Sequence, residues 1–301
     1  MSKSVKGFDF SDLAEEMRTA VSKKDPAKEG MFGTGDTLVK ISSNPEDYVV
    51  LPEWFKESYG ILGIPFGSFI QIAGEPDSGK TSLSLLAMRC AQEQGYAIIY
   101  AETEGKTGEQ QLLGAGLNPK GILTVQTNIT EYLYDGIREA IQRVSANYPD
   151  SKILLVLDSY GNTTSMRDSE LELSTGSEKP GGHAKTNRTG IGMIKANMLQ
   201  HPIAALVVNY TYDNIGSVGK TNAGGKALNF HAMLTIQSSR KSWYERTVAG
   251  NKVRAGAEVL WKTYKNHFTN GLRDEKGNPV LLPKQLTLRI SSEGMELLKF
   301  G

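Results

Sequence analysis

The sequence predicts an α/β fold: a mostly parallel central sheet with helices on both faces and an antiparallel extension at one edge. Three observations predict it. Apolar runs of strand length alternate with helical stretches from residue 69 to residue 209. Strands that are apolar at nearly every position belong to sheets buried on both faces. Gly74-Glu75-Pro76-Asp77-Ser78-Gly79-Lys80-Thr81 matches G-x-x-x-x-G-K-[ST] and lies between such a run and such a stretch. The last third reads as strands joined by short turns, which is how an antiparallel edge is written.

Bulk properties narrow the function classes. At 301 residues the chain can hold one large domain, or one domain with a small appendage. A net charge of +1 excludes a global field, so any nucleic-acid site must be a local patch. The single cysteine, Cys90, excludes an internal disulfide framework and suits a reducing compartment. No apolar run reaches membrane-spanning length, and no signal-peptide core follows the N-terminus. These features predict a cytoplasmic protein with no membrane partner.

The elements follow in order. Residues 9 to 22 form a short amphipathic helix, with Ser11 as cap and Leu13, Ala14, Met17 and Val21 on one side. A helix that short must dock on something. Lys23 to Gly35 reads as a charged linker, so residues 1–35 form an arm and residues 36–301 the core. Short β-like runs span Leu38 to Leu51, a helical turn Pro52 to Tyr59, and a turn Gly63 to Gly67. Phe69 to Ala73 is a buried strand. The helix after it, Thr81 to Gln94, puts Leu83, Leu86, Ala87, Cys90 and Ala91 on one stripe, with Gly95 as its stop. Tyr96 to Ala101 is a strand, Gly108 to Leu113 a helix, and Ile122 to Gln126 a strand. Thr130 to Ser145 is a helix with Leu133, Ile137, Ile141 and Val144 on one face. Lys152 to Ser159 is a buried strand. Tyr160 to Gly190 is polar and long for a connection, and loops of that kind are functional or disordered. Gly190 to Gln200 is helical, Ile203 to Asn209 a strand, and Thr211 to Leu228 a second irregular stretch. His231–Ser238, Glu258–Lys265, Gln285–Ser291 and Met295–Phe300 are the closing strands.

The segment from Gly74 to Ser82 carries the chemistry. Glycines let the backbone around Glu75, Pro76, Asp77 and Ser78 curl so that N–H groups converge on phosphate oxygens. The helix N-terminus adds partial positive charge there. Lys80 neutralises the β- and γ-phosphates, and the Thr81 hydroxyl holds Mg²⁺. The expected ligands are ATP and Mg²⁺. Leu154-Leu155-Val156-Leu157-Asp158 is an apolar strand ending in an acid, the form of a Walker B strand. Asp158 is therefore the second candidate metal residue. Glu102 and Glu104 end the strand that follows the P-loop helix, where a carboxylate orients water for attack on the γ-phosphate. Residue chemistry does not choose between them.

With these motifs the chain resembles the RecA-type recombinases, phage members among them, from about Gly63 to Lys265. Glu102-Thr103-Glu104-Gly105 is similar to the family's Asp-Thr-Glu-Gly or Asp-Ala-Glu stretch. Counting on to Leu112 and Gly116 puts Glu104 on the catalytic glutamate. Val207-Val208-Asn209-Tyr210, a Gly-rich loop, then Gly224-Gly225-Lys226-Ala227-Leu228-Asn229-Phe230 resemble the strand, second DNA loop and exit. Lys262-Thr263-Tyr264-Lys265-Asn266-His267 resembles a Lys-Asn-Lys strand whose lysines reach the ATP of the adjacent subunit, so Lys265 is expected to act in trans. There are departures. His267 replaces the second lysine and Tyr210 a γ-phosphate-sensing Gln. The first loop, Thr163 to Arg188, is long, and a separate carboxy-terminal DNA-gathering domain is expected to be absent.

The resemblance implies a RecA-like P-loop core. It implies a single-stranded-DNA-dependent ATPase that forms helical filaments and pairs single-stranded DNA with homologous duplex in recombination and repair. It also implies that the two loops hold DNA. The residues available are Lys179, His183, Lys185 and Arg188 in the first, and Tyr212, Lys220, Gly224, Gly225 and Lys226 in the second. A ring-forming motor on the same core and a non-catalytic nucleotide-binding mediator are the competing readings.

Overall fold

A computed structural model describes residues 9–24, 42–169, 182–213, 220–223, 227–269 and 282–301. Helix α1 (Ser11–Ser22) comes first. Its start is held by Asp9, whose Oδ1 accepts from the Ser11 amide (3.0 Å) and hydroxyl (2.7 Å). Ser11 is thus the first helical residue and not the cap. The Ala14 amide, which a Ser11 cap would take, donates instead to the Phe10 carbonyl (2.8 Å). Ala14 is buried, while Phe10, Leu13 and Met17 stay exposed. Residues 25–35 of the predicted linker lie outside the described residues.

A two-stranded sheet follows, with β1 (Tyr48–Val50) antiparallel to β2 (Gly63–Pro65) around helix α2 (Glu53–Tyr59). Gly63 to Pro65, predicted as part of a turn, are therefore strand. Pairing dictates the glycine, because a Cβ on Gly63 would lie 1.9 Å from the Val49 carbonyl oxygen.

The alternating pattern then appears as read. Strand β3 (Phe69–Gly74) precedes α3 (Lys80–Glu93), and β4 (Ala97–Glu102) precedes α4 (Glu109–Gly114). Strand β5 (Ile122–Gln126), α5 (Thr130–Asn147), β6 (Ile153–Asp158) and the one-turn α6 (Met166–Ser169) come next. After them run α7 (Gly182–Met198), β7 (Ile203–Asp213), β8 (Lys220–Asn222) and α8 (Ala227–His231). The chain closes with β9 (Ala232–Val248), β10 (Asn251–Asn266), β11 (Gln285–Ser291) and β12 (Gly294–Phe300).

The main sheet has the order β12-β11-β10-β9-β3-β7-β6-β4-β5, with β8 attached to β7. From β9 to β5 neighbours are parallel; from β9 to β12 they are antiparallel. Strand alternation divides the core between two faces. On β6, Leu154 and Val156 join the cluster that contains α3. Ile153, Leu155 and Leu157 join the one that contains α5 and α7. Cys90 is buried on α3, and that burial pushes its thiol up to about 11, so it is a packed thiol and not a reactive one.

Four elements run well past their predicted bounds. Helix α7 begins at Gly182, not Gly190. Packing overrides the Gly-rich composition. The Tyr134 hydroxyl donates to Asn187 Oδ1 (2.9 Å), and the Tyr134 ring lies against Gly190, where a Cβ would come within 2.3 Å of it. Strand β7 continues past Asn209 to Asp213 and pairs with β8, so the second irregular stretch contains a hairpin root. Strands β9 and β10 extend beyond Ser238 and before Glu258 into one long hairpin. Its turn, Ala249-Gly250, has φ 49° and 81°, both in the left-handed region that a tight hairpin needs.

Trp261 on β10 is fully buried. Its ring meets Trp54 edge-on at 6.1 Å, and its Nε1 donates to the Ser78 carbonyl (3.0 Å). Trp261→Ala should lower the unfolding free energy by about 3–5 kcal/mol in urea titration. A loss below about 1 kcal/mol would show that this indole does not support the core.

Candidate functional site

The loop from β3 to α3 is shaped by what lies behind it. Asp77 and Gly79 adopt positive φ (57° and 88°). A Cβ on Gly79 would lie 2.2 Å from Ile290 Cδ1, and one on Gly74 would lie 2.0 Å from the Ser238 carbonyl oxygen. Both glycines are therefore fixed by contacts from β11 and β9. The Ser78 hydroxyl donates to the Glu75 carbonyl (2.7 Å) and shares a hydrogen bond with Ser238 Oγ (2.7 Å). Pro76 and Asp77 are exposed at the loop's crest, and Thr81 and Ser82 open the first turn of α3.

Lys80 is 6% exposed. Its ammonium donates to the Gly74 carbonyl (3.0 Å) and to the Glu75 carbonyl, and lies 4.7 Å from the centre of the Tyr210 ring. Burial pulls it down to about 8, against the opposing charges of Asp158 and Glu104. Asp158 ends β6, directly opposite Glu102 of β4. Burial pushes its carboxyl up to about 6, although the Thr81 hydroxyl donates to it. Asp158 Oδ2 is buried and has no hydrogen-bond partner.

That orphaned oxygen, next to a hydroxyl, fits a divalent cation. Among the described residues no group of three or more His, Cys, Asp or Glu could form a full metal cage. Mg²⁺ is commonly held by one or two protein oxygens, with phosphates and water completing its shell.

Glu102 and Glu104 have different surroundings. Glu102 is 5% exposed, and its carboxylate is occupied by backbone. Oε1 accepts from the amides of Glu104 and Lys106 (both 3.2 Å), and Oε2 from that of Gly105 (2.7 Å). Glu104 faces the site. Its Oε1 accepts from Ser159 Oγ (2.9 Å) and from the Tyr210 hydroxyl, and its Oε2 pairs with Lys106 Nζ (2.6 Å). Burial pushes its pKa up, but the bonds from Lys106, Tyr210 and Ser159 outweigh this and hold the carboxyl below its ordinary value. The hydroxyl of Tyr210, the residue that departs from Gln, thus touches Glu104 and its ring faces Lys80. Its backbone carbonyl accepts from the Ala223 amide (2.8 Å) at the root of the β7–β8 hairpin.

Lys265 lies elsewhere. It pairs with Thr235 of β9, which lies opposite Gln71, whereas the P-loop leaves from Gly74 opposite Ser238. The lysine is thus displaced toward the N-terminal end of β3, and its Nζ donates to the Asn229 carbonyl (2.8 Å). Lys185 and Arg188 are exposed on α7, not in a loop. Tyr212 pairs with Thr221, and Lys220 with Asp213, through their backbones where β7 meets β8. Lys179, Gly224, Gly225 and Lys226, and the side chains of His183, Tyr212 and Lys220, lie outside what is described.

Sequence reasoning missed the walls of the site. A cavity of about 220 Å³ beside the start of α3 is lined by Ser82, Arg89, Gln111, Ile290, Ser291 and Glu293. A second, of about 300 Å³, includes Asp77, Ser82, Trp243, Gly256 and Ser292. Arg240 of the long hairpin pairs with Asp77 (3.1 Å). The guanidinium carbons of Arg240 and Arg254 lie 4.2 and 3.7 Å from the centre of the Trp243 ring. Asp77 and Ser82 were legible as part of the phosphate-binding stretch; the residues from β9 to β12 are distant from it in sequence and carry no motif.

Tyr210→Phe keeps the ring over Lys80 and removes the bond to Glu104. It should cost about 1–2 kcal/mol in urea unfolding; no change would show that the hydroxyl does not hold the carboxylate.

The RecA N-terminal domain family matches residues 31–277. The chain is 26% identical to Protein RecA of Malacoplasma penetrans over 218 residues, which are 70% of this chain and 64% of that protein. It is 26% identical to Protein RecA of Thermus thermophilus over 269 residues, 87% and 76% of the two chains. A plasmid-encoded Protein RecA of Lactococcus lactis is 23% identical over 257 residues, 83% and 70%. The match thus spans somewhat under two thirds of the Malacoplasma relative's length and 61% of a Ureaplasma parvum one. With a parallel sheet, a P-loop at the end of β3 and an antiparallel edge behind it, the chain has the RecA fold and belongs to the RecA family.

Proposed function

We propose that this chain is a single-stranded-DNA-dependent ATPase that assembles into helical filaments and pairs homologous DNA strands in recombination and repair. One observation carries the reading. Lys80, Thr81, Asp158 and Glu104 converge on one point, while Lys265 lies two strands away, level with Gln71 and not with Gly74. A site that uses both needs two copies, stacked head to tail. Such heterologous contacts grow into helices when the rotation does not close.

In this reading the amides from Gly74 to Ser82 hold the phosphates, and Lys80 leaves its two carbonyl partners to neutralise the β- and γ-phosphates. Thr81 and Asp158 would hold Mg²⁺, which would supply charge neutralisation to the triphosphate. Glu104 orients a water and takes its proton as that water attacks the γ-phosphorus. The bond to the β-phosphate oxygen breaks, and ADP leaves with the electron pair. Lys265 of a neighbouring copy adds positive charge at the seam. The cavity beside Ser82 and Ser291 is the space for the base.

The DNA elements follow from topology. Strands β6 and β7 are adjacent and parallel, so the chain leaves both strands at the same edge of the sheet. Lys185 and Arg188 on α7, with Tyr212, Gly224, Gly225 and Lys226, are the proposed contacts. Tyr210 links the two functions, since it touches Glu104 and anchors the hairpin root. The exposed Leu13 and Met17 of α1, with Phe10 just before it, support a role for residues 1–35 as an arm that packs on the next copy. No helix among the described residues is long and apolar enough to cross a membrane.

ATP turnover measured with and without single-stranded DNA, beside electron micrographs of the same samples, tests the reading. Stimulated turnover with filaments is expected; rings, or turnover indifferent to DNA, would favour the motor or the mediator. Lys80→Ala should reduce turnover at least ~10²-fold by removing the phosphate partner. Glu104→Gln should retain ATP binding and filaments while slowing hydrolysis by about 10²-fold or more. Rapid hydrolysis by Glu104→Gln would remove that residue from the chemistry.

A further inference from the structure

The stretch that carries Glu104 is built around its neighbours. Three successive amides, those of Glu104, Gly105 and Lys106, donate to the buried Glu102 carboxylate. Gly105 takes φ +66°, which turns the chain so that the side chains on either side of it converge. Lys106 Nζ then reaches Glu104 Oε2 at 2.6 Å.

An exposed lysine paired with a carboxylate normally contributes little, because ordering its long stem offsets the attraction. Two features set this pair apart. The Glu104 side chain is 6% exposed against 75% for Lys106, so one partner of the pair is nearly withdrawn from water. The Lys106 backbone is already fixed by Glu102, which lowers the ordering cost. A carboxylate offers about four acceptor positions. The Tyr210 and Ser159 hydroxyls occupy two on Oε1 and Lys106 one on Oε2, which leaves a single open position on Oε2.

We propose that Lys106 is a positioning residue for hydrolysis: it fixes Glu104 through Oε2 and leaves that carboxylate one open acceptor for the attacking water. This rests on the assignment of Glu104 as the water-orienting group. Lys106 acts through Glu104 and is not itself placed against the phosphates. Glu102 supports it by fixing the backbone from which both side chains project.

The test is a double-mutant cycle on the full chain with ATP, Mg²⁺ and single-stranded DNA. Lys106→Ala should lower kcat about tenfold, the scale of a misoriented catalytic group. KM for ATP and the binding of a fluorescent ATP analogue should stay within about twofold of the wild type. Lys106→Arg should recover most of the loss. Glu104→Gln/Lys106→Ala should be no slower than Glu104→Gln alone, since Lys106 has then nothing to position. An unchanged kcat in Lys106→Ala, or a further tenfold fall in the double variant, overturns the inference. If Glu104→Gln itself turned over normally, the fault would lie with the Glu104 assignment, and the cycle separates that outcome from the other two.

Discussion

The phosphate loop is held from behind, and the rest of the molecule depends on that constraint. Three consecutive strands of the antiparallel edge each contribute one contact. Ser238 of β9 closes on Gly74, Trp261 of β10 bonds the Ser78 carbonyl, and Ile290 of β11 fills the space that a side chain on Gly79 would need. The edge strands are therefore part of the site and not an appendix to it. A loop with left-handed residues at Asp77 and Gly79 would otherwise relax, since it is short of regular partners of its own.

The electrostatics of the site follow from the same burial. Lys80 is drawn down to about 8 and Asp158 pushed up to about 6, in each case because water has been removed from a charged group. Neither is fully satisfied by protein. Lys80 rests on two carbonyls, and one Asp158 oxygen has no partner. A triphosphate with its cation offers what each lacks, an anion for the lysine and a cation for the aspartate. Asp158 is already desolvated and needs little reorganisation when that ligand arrives, whereas Lys80 exchanges its two carbonyl partners for phosphate oxygens. Glu104 is the exception: its partners outweigh its burial and hold its carboxyl below its ordinary value.

Much of this was legible in the chain. The P-loop announces itself because phosphate binding requires glycines and a lysine at fixed spacing. The parallel strands announce themselves because burial on both faces leaves no room for polar residues. What failed to show has physical reasons. Gly182 to Thr189 looked like loop because local propensity opposes a helix there; packing of Asn187 and Gly190 on Tyr134 reverses it. The long β9–β10 hairpin was cut short because its exposed strands are polar and its turn is Ala-Gly, not Asn-Gly. The choice between Glu102 and Glu104 was open to residue chemistry. It turns on which carboxylate the backbone has already occupied, a fact of three dimensions. The walls formed by Gln111, Trp243 and Ser291 come from distant segments and carry no local signal.

The central claim is that one catalytic centre is shared by two copies, with Lys80 from one and Lys265 from the next. Mixing two inactive variants tests it directly. Lys80→Ala and Lys265→Ala, each without turnover alone, are combined in equal amounts on single-stranded DNA and ATP hydrolysis is measured. Random head-to-tail assembly rebuilds an intact seam in about one site in four, so the account predicts recovery of about a quarter of the wild-type rate. A mixture as inactive as its components, while still forming filaments, would contradict it.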